Sequence, residues 1–406
     1  MARSATFFRG QGFKALLASA ALGALSACAP NLPGATGPAQ APVAAQPPTA
    51  PAPITTEELA TPDRAATRVA LLVPLTGQGS DVGQAMLNAA QIALFDVGDD
   101  AFELLPRDTR GSRQGADTAA REAIASGAEL IVGPLFSYSV GAVTPIARQA
   151  GVPVLAFSND WTQAGPNTWI MGLAPQEQVE RVAGYTRARG MTRFGGLVPR
   201  TAYGDAVANA LYASADRLGA EVVRLERFDP NVPDVSPAVR SLASAGPAAF
   251  EAVLIAEGGD RLRTIAPTLP FFEIDPRNVK LLGTGLWDDA SLANEPALVG
   301  GWYAAPDPAA RSDFEERYAE FYGQRPPRLA TLAYDATALA AVLARFGPAG
   351  YTLDSLTNPS GFAGVDGIFR LLPGGRVERG LAVLEVAPGG ARIVDPAPDS
   401  FQPLLQ

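Results

Sequence analysis

The chain has 406 residues, 47% of them hydrophobic, and a formal net charge of −9. That length allows more than one compact unit with a sizeable core, and the acidic balance argues against a nucleic-acid partner. There is no histidine, there is one cysteine, and lysine occurs only at Lys14 and Lys280. These absences exclude Ser-His-Asp and Cys-His catalysis, histidine-containing metal sites, zinc-binding cysteine clusters and an internal disulfide. Paired carboxylates remain for hydrolytic chemistry. The Asp and Glu residues are scattered, however, and read mostly as solvated helix faces, so no enzyme is expected. No motif calls for a cofactor or a metal.

In chain order, Arg3, Arg9 and Lys14 precede the apolar run Ala15–Ala27. A membrane-spanning helix needs roughly 20 residues, so this shorter run reads as a signal-peptide core over residues 1–27. It ends in "LSAC" (Leu25–Cys28), which resembles the lipobox of bacterial lipoproteins, where the signal is cleaved before the cysteine. The resemblance implies that Cys28 becomes the lipidated N-terminus. An Asp after the cysteine commonly holds such proteins at the inner membrane of Gram-negative bacteria. Ala29 stands there instead, which implies an outer-membrane anchor with the protein facing the periplasm.

Residues 29–66 are rich in Pro and Ala without amphipathic period, the composition of an extended tether. At about 3.1 Å per residue its upper reach is on the order of 100 Å. The expected organisation is therefore a signal peptide over 1–27, a lipidated Cys28 and tether over 28–66, a folded domain over 67–395 and a tail over 396–406.

"RVALLVPL" (Arg68–Leu75) is a continuous apolar run, the pattern of a strand buried on both faces. A helix near 84–95, a strand Phe102–Asp108, a helix near 113–126, a strand Glu129–Pro134, a helix near 140–150 and a strand Val152–Ser158 follow. The loop "TGQGSDVG" (Thr76–Gly83) lacks the dinucleotide glycine spacing and reads as a flexible loop beside a cleft. A second series comprises strands Arg193–Pro199, Glu221–Phe228, Phe250–Ala256 and Val279–Thr284, with helices near 204–218, 235–243 and 260–269. Two late helices (309–322 and 330–346) and a hairpin-like close, "GIFRLL", "PGG", "VERGLAVLEV", complete the chain. Alternating strands and helices predict an α/β fold: two lobes, each a mainly parallel sheet flanked by helices, with a cleft between them. Ligands in such folds gather at the carboxyl ends of the strands.

Five segments carry a resemblance to a known family. They are "VALLVPLTG", "IVGPLFSYSVGAVTPIARQAGVPVLAFSND", "YGDAVANAL", "FEERYAEFYGQRPPRLATLAYDATALA" and "GVDGIFRLLPGGRVERGLAVLEV". Their order and spacing resemble the type I periplasmic-binding fold in its leucine-binding-like group, from about Arg68 to Val386. "VALLVPLTG", "GPL" and "IAPTLPFFEID" (Ile265–Asp275) are further similar to the penicillin-binding-protein activator lipoproteins. That likeness implies a non-catalytic lipoprotein that stimulates a peptidoglycan synthase by contact. The enterobacterial activators carry a helical-repeat N-domain where this chain has only the tether. The alternative is a substrate-binding protein that serves an ABC permease for branched-chain amino acids or related amides. A third reading, a cell-wall hydrolase, rests only on acidic residues near a cleft.

The receptor resemblance also names site residues. The loop after the third strand places Ser137 and Tyr138 where receptors bind a ligand carboxylate, and a hydroxyl at a helix start suits an anion. Plain capping by Ser137 or Ser139 is the other reading. Ser158 and Asn159 match a second ligand loop, although Asn159-Asp160 could be only a turn. Tyr203 stands where receptors place an aromatic over the ligand, and Glu257 could meet an ammonium. Where receptors often add an acid for the α-amino group, the chain reads "GTGLW" (Gly283–Trp287). That departure speaks against α-amino-acid recognition, with Trp287 either in the cleft or in the core.

Overall fold

A computed structural model describes residues 66–401 apart from 101 and 247, all within one compact unit, Thr61–Gln406. The predicted signal peptide, Cys28 and almost all of the tether lie outside the described residues. The first lobe opens with β1 (Thr67–Val73), α1 (Ser80–Val97), β2 (Phe102–Asp108), α2 (Arg113–Ala125), β3 (Leu130–Val132), α3 (Ser137–Ala150), β4 (Val154–Ala156) and β5 (Thr168–Ile170). These strands form an all-parallel sheet of order β2-β1-β3-β4-β5. Val69 to Val73 of β1 are fully buried, as a strand covered on both faces requires.

The second lobe holds α4 (Pro175–Ala188), β6 (Arg193–Pro199), α5 (Ala202–Leu218), β7 (Glu221–Phe228), α6 (Ser236–Ala243), β8 (Ala252–Ile255), α7 (Gly259–Ile265), α8 (Thr268–Phe271), β9 (Lys280–Gly283) and β10 (Trp302–Ala305). The chain then returns through α9 (Pro308–Tyr322), α10 (Ala330–Ala344) and α11 (Leu353–Leu356). Phe314, Tyr318, Leu332 and Leu339 of α9 and α10 join the first lobe's core with Val69, Leu71 and Met86. A three-stranded sheet of β11 (Phe362–Gly364), β12 (Gly367–Leu371) and β13 (Val377–Arg379) follows. Last, β14 (Ala382–Ala387) and β15 (Gly390–Asp395) complete a second sheet of order β15-β14-β10-β9-β8-β6-β7.

Both lobes use a glycine to let a helix start against a strand end. A Cβ on Gly83 would lie 1.9 Å from the Pro74 carbonyl oxygen, and one on Gly204 1.9 Å from that of Pro199. In α5 the start is fixed further by Thr201, whose hydroxyl accepts the Gly204 N–H at 3.1 Å.

The α/β class, the two mainly parallel sheets and the late return of two helices are as the sequence predicts. The closing hairpin is corrected. β12 and β13 do pair across the "PGG" turn, but β14 leaves that sheet and pairs antiparallel with β10 and β15. The strands β5, β10 and β15 and the helix α4 were not expected. β5 and β10 are only 3 and 4 residues long, too short for a period, and α4 opens with the polar run "PQEQ".

Candidate ligand cleft

A cleft of about 770 Å³ lies at the carboxyl ends of the strands, lined from both lobes. Ser137 after β3, Ser158 after β4 and Leu173 after β5 line it from one side. Tyr203 after β6 and Gly285, Leu286 and Asp288 after β9 line it from the other. Arg328 and Leu329, just before α10, complete the lining.

The start of the loop after β1 is tied to the end of β2. The Asp108 carboxylate at the end of β2 accepts the N–H groups of Leu75 (2.9 Å), Thr76 (3.2 Å) and Arg110 (2.7 Å) and the Thr76 hydroxyl (2.6 Å). Burial would raise its pKa, yet these four donors hold it below the usual carboxylate range. The loop so fixed brings Gln78 and Gly79 to the cleft wall.

At α3 the residue before the helix is Phe136, and no side chain caps the start. The Ser137 hydroxyl therefore faces the cleft without the capping bond that sequence left open. Ser139 is fully buried, and its hydroxyl has no hydrogen-bond partner among the described residues. Tyr138 turns away: its hydroxyl donates to the Gly111 carbonyl at 2.8 Å, and its ring stacks on Phe136 at 5.2 Å. In the next loop Ser158 is buried and its hydroxyl accepts the Asp160 N–H at 3.1 Å. Asp160 makes the turn, accepting from Thr162 N–H (3.0 Å) and hydroxyl (2.6 Å). Asn159 lines the cleft and is exposed.

Tyr203 reaches the cleft with its hydroxyl 2.7 Å from that of buried Thr284. Burial pushes its phenol up to about 12, against the Thr284 bond, and the nearby Glu257 charge adds to the rise. Glu257 itself is half-buried beyond β8, accepts the Gly258 N–H at 3.1 Å, and is not among the residues lining this cleft. Trp287 is 1% exposed and belongs to the second-lobe core.

Four residues that sequence reasoning passed over organise the site. Gln178 of α4 donates to the Leu173 carbonyl at 3.1 Å and accepts the Gly285 N–H at 2.7 Å, tying the crossing chain to the loop after β9. Asp288, on that loop, is gripped by two arginines of the returning chain: Arg311 Nη1 at 2.7 Å and Arg328 Nε at 3.5 Å. Arg311 also bonds Glu315 at 2.8 Å. Burial opposes its charge, but these carboxylates outweigh burial and hold the guanidinium firmly protonated. Arg328 reaches Asp366, whose side chain is fully buried, at 2.9 Å. Asp335 and Asp366 form a buried pair: burial and the Asp366 charge push Asp335 up, while Arg328 and Arg379 overcome burial and keep Asp366 ionised. Asp288 stands one residue beyond the segment where sequence reasoning sought an acid. Nothing local reveals that Arg311 and Arg328 reach it.

Residues 66–391 match the family model described as periplasmic binding protein. The chain belongs to this family. Its solved relatives are of the type I, leucine-binding-like group. One is a branched-chain amino acid ABC transporter periplasmic ligand-binding protein from Burkholderia xenovorans LB400. It is 19% identical, with a TM-score of 0.69 over 83% of this chain and 97% of that one. An ABC transporter solute-binding protein from R. palustris in complex with benzoate is 18% identical, with a TM-score of 0.62 over 84% and 98%. The branched-chain amino acid transporter substrate-binding protein LivJ from Streptococcus pneumoniae, in complex with isoleucine, is also 18% identical, with a TM-score of 0.60 over 82% and 100%. A curated relative, uncharacterized protein RP748 of Rickettsia prowazekii, is 22% identical over 57% of this chain, and the match spans 59% of that relative's length. Among the described residues no group of three or more Cys, His, Asp or Glu is placed to hold a metal ion.

Proposed function

We propose that the chain is a non-catalytic solute-binding protein that closes its two lobes over a small organic ligand and presents it to an ABC permease. The observation that carries this is the 770 Å³ cleft with uncommitted polar groups at one end. Among the described residues neither the Ser137 hydroxyl, at an uncapped helix start, nor the Asn159 amide has a hydrogen-bond partner. A pocket of that size, mainly apolar with a few convergent polar groups, suits a small molecule. The substrate-binding roles of the solved relatives agree with this reading. A thermal-shift panel of small carboxylates, amino acids and amides tests it. Binding to the folded state raises stability by RT ln(1 + [L]/Kd), about 2.7 kcal/mol at one hundred times Kd. At least one compound should raise the melting temperature, and Ser137→Ala or Asn159→Ala should reduce that rise. A flat panel refutes the reading. Anchoring through Cys28 to the outer membrane belongs to the same proposal, and Cys28→Ala should release the protein from the membrane fraction.

The synthase-activator reading keeps one structural observation in its favour. In the Ile265–Asp275 segment Phe271 is 80% exposed and offers an aromatic side chain to a partner. A pull-down with the host's bifunctional synthase, with Phe271→Ser as control, tests it; no binding by the parent protein ends it.

A further inference from the structure

We infer that the cleft selects carboxylate ligands that lack an α-amino group, and that Arg311 enforces this choice by occupying Asp288, the one acid among the described residues that line the cleft. The inference rests on the solute-binding reading above and names its ligand class. An ammonium taken out of water needs a carboxylate or several acceptors in its place. Among the residues lining the 770 Å³ cleft, the charged ones are Asp288 and Arg328. Asp288 is 9% exposed, and one of its oxygens, Oδ2, meets Arg311 at 2.7 Å and Arg328 at 3.5 Å. With both guanidiniums on that one oxygen, an ammonium brought to Asp288 would also lie beside two cations, which other carboxylates hold in place.

Neither arginine can step aside cheaply. Arg311 is only 12% exposed and also serves Glu315. Arg328 is the hydrogen-bonded cation of the fully buried Asp366. Moving either one strands a buried charge. The acids at the outer mouth, where a neighbouring hollow shares Ser137, Asn159 and Tyr203, are also engaged. Asp205 pairs with Arg227 at 2.6 Å, Glu180 with Arg217 at 2.9 Å, and Asp160 Oδ1 holds Thr162. Glu257 stands outside the lining residues. A different part of the lining is suited to an anion: the uncapped start of α3 offers the Ser137 hydroxyl and the helix's positive end, and Asn159 lines the cleft too. Leu135, Phe157, Leu286 and Leu329 supply an apolar wall for the body of the ligand. The chemistry that fits is a branched aliphatic or aromatic carboxylate without an amine.

Calorimetric titration of the full chain with matched pairs tests this: leucine against 4-methylpentanoate, and phenylalanine against 3-phenylpropanoate. The compound without the amine should bind at least about tenfold tighter, since the amino acid would bury an unpaired ammonium. Arg311→Met, which leaves Asp288 only the longer contact to Arg328 at 3.5 Å, should narrow that ratio, whereas Arg311→Lys, which keeps a cation there, should preserve it. The comparison on the parent protein stands even where Arg311→Met fails to fold. Amino acids that bind as tightly as their partners, or lose their binding on Glu257→Gln, overturn the inference and leave the solute-binding reading intact. Binding by no member of either pair, in a protein that does bind other compounds of the broader panel, overturns the inference alone; silence across both overturns the two together.

Discussion

Replacing Asp366 with asparagine probes the ion network behind the cleft. Asp366 lies in the turn between β11 and β12 with a fully buried side chain. Its Oδ2 accepts from Arg328 Nη1 at 2.9 Å and from the Thr331 hydroxyl at 2.7 Å. Asparagine keeps the size and the Thr331 bond but removes the charge, so Arg328 is left with Asp288 at 3.5 Å as its ion partner. Breaking one side of a buried pair costs about 3–5 kcal/mol, and the retained hydroxyl bond places Asp366→Asn near 3 kcal/mol, at the lower end of that range. With an m-value of about 3 kcal/mol per molar urea, the midpoint should fall by about 1 M. Urea unfolding followed by tryptophan fluorescence measures this. The double variant Arg328→Met/Asp366→Asn strands no charge at this pair, so it should cost less than the sum of the two single variants. An Asp366→Asn cost below about 1 kcal/mol, or strict additivity in the cycle, would refute the reasoning.

Two further outcomes follow from the same structure. Gly204→Ala should destabilise the fold by about 2–4 kcal/mol, because the new Cβ falls 1.9 Å from the Pro199 carbonyl and cannot be relieved by a side-chain shift; equilibrium unfolding checks it. Burial pushes the Glu177 carboxyl up to about 8, with Arg379 opposing the rise in part. Its folded pKa thus lies above the unfolded value, so its contribution to stability is intact below about pH 4.5 and is lost as pH rises toward 8. Glu177→Gln should therefore match the parent near pH 4.5 and exceed it at pH 8 and above by about 2–4 kcal/mol, allowing for partial solvent access. A pH series of melting curves on both proteins reads the difference, and a gap that is constant with pH contradicts it.

What could be read from sequence divides along physical lines. The strand β1 was legible because burial on both faces leaves an unbroken apolar run; α5 was expected near 204–218, and its cap Thr201, which starts it at Ala202, was not read. The strands β10 and β14 pair side by side although they lie far apart in sequence, and β10 sits among Gly and Pro, so neither shows a local period. The cleft loops after β3, β4 and β6 could be located because they follow strand ends. The orientation of a side chain within a loop could not: Tyr138 turns to Gly111 while its neighbour Ser137 faces the cleft. The state of Asp288 was also invisible, since its two arginines arrive only after the chain has crossed back to the first lobe.

Hydrogen–deuterium exchange of the whole chain with and without saturating 4-methylpentanoate tests the central claim most directly, because it reports which loops close on the ligand. The account predicts protection on both sides of the cleft together, at 136–139 and 157–159 in the first lobe and at 201–204 and 284–288 in the second. Protection confined to one lobe or lying elsewhere, or no protection at all, would contradict it.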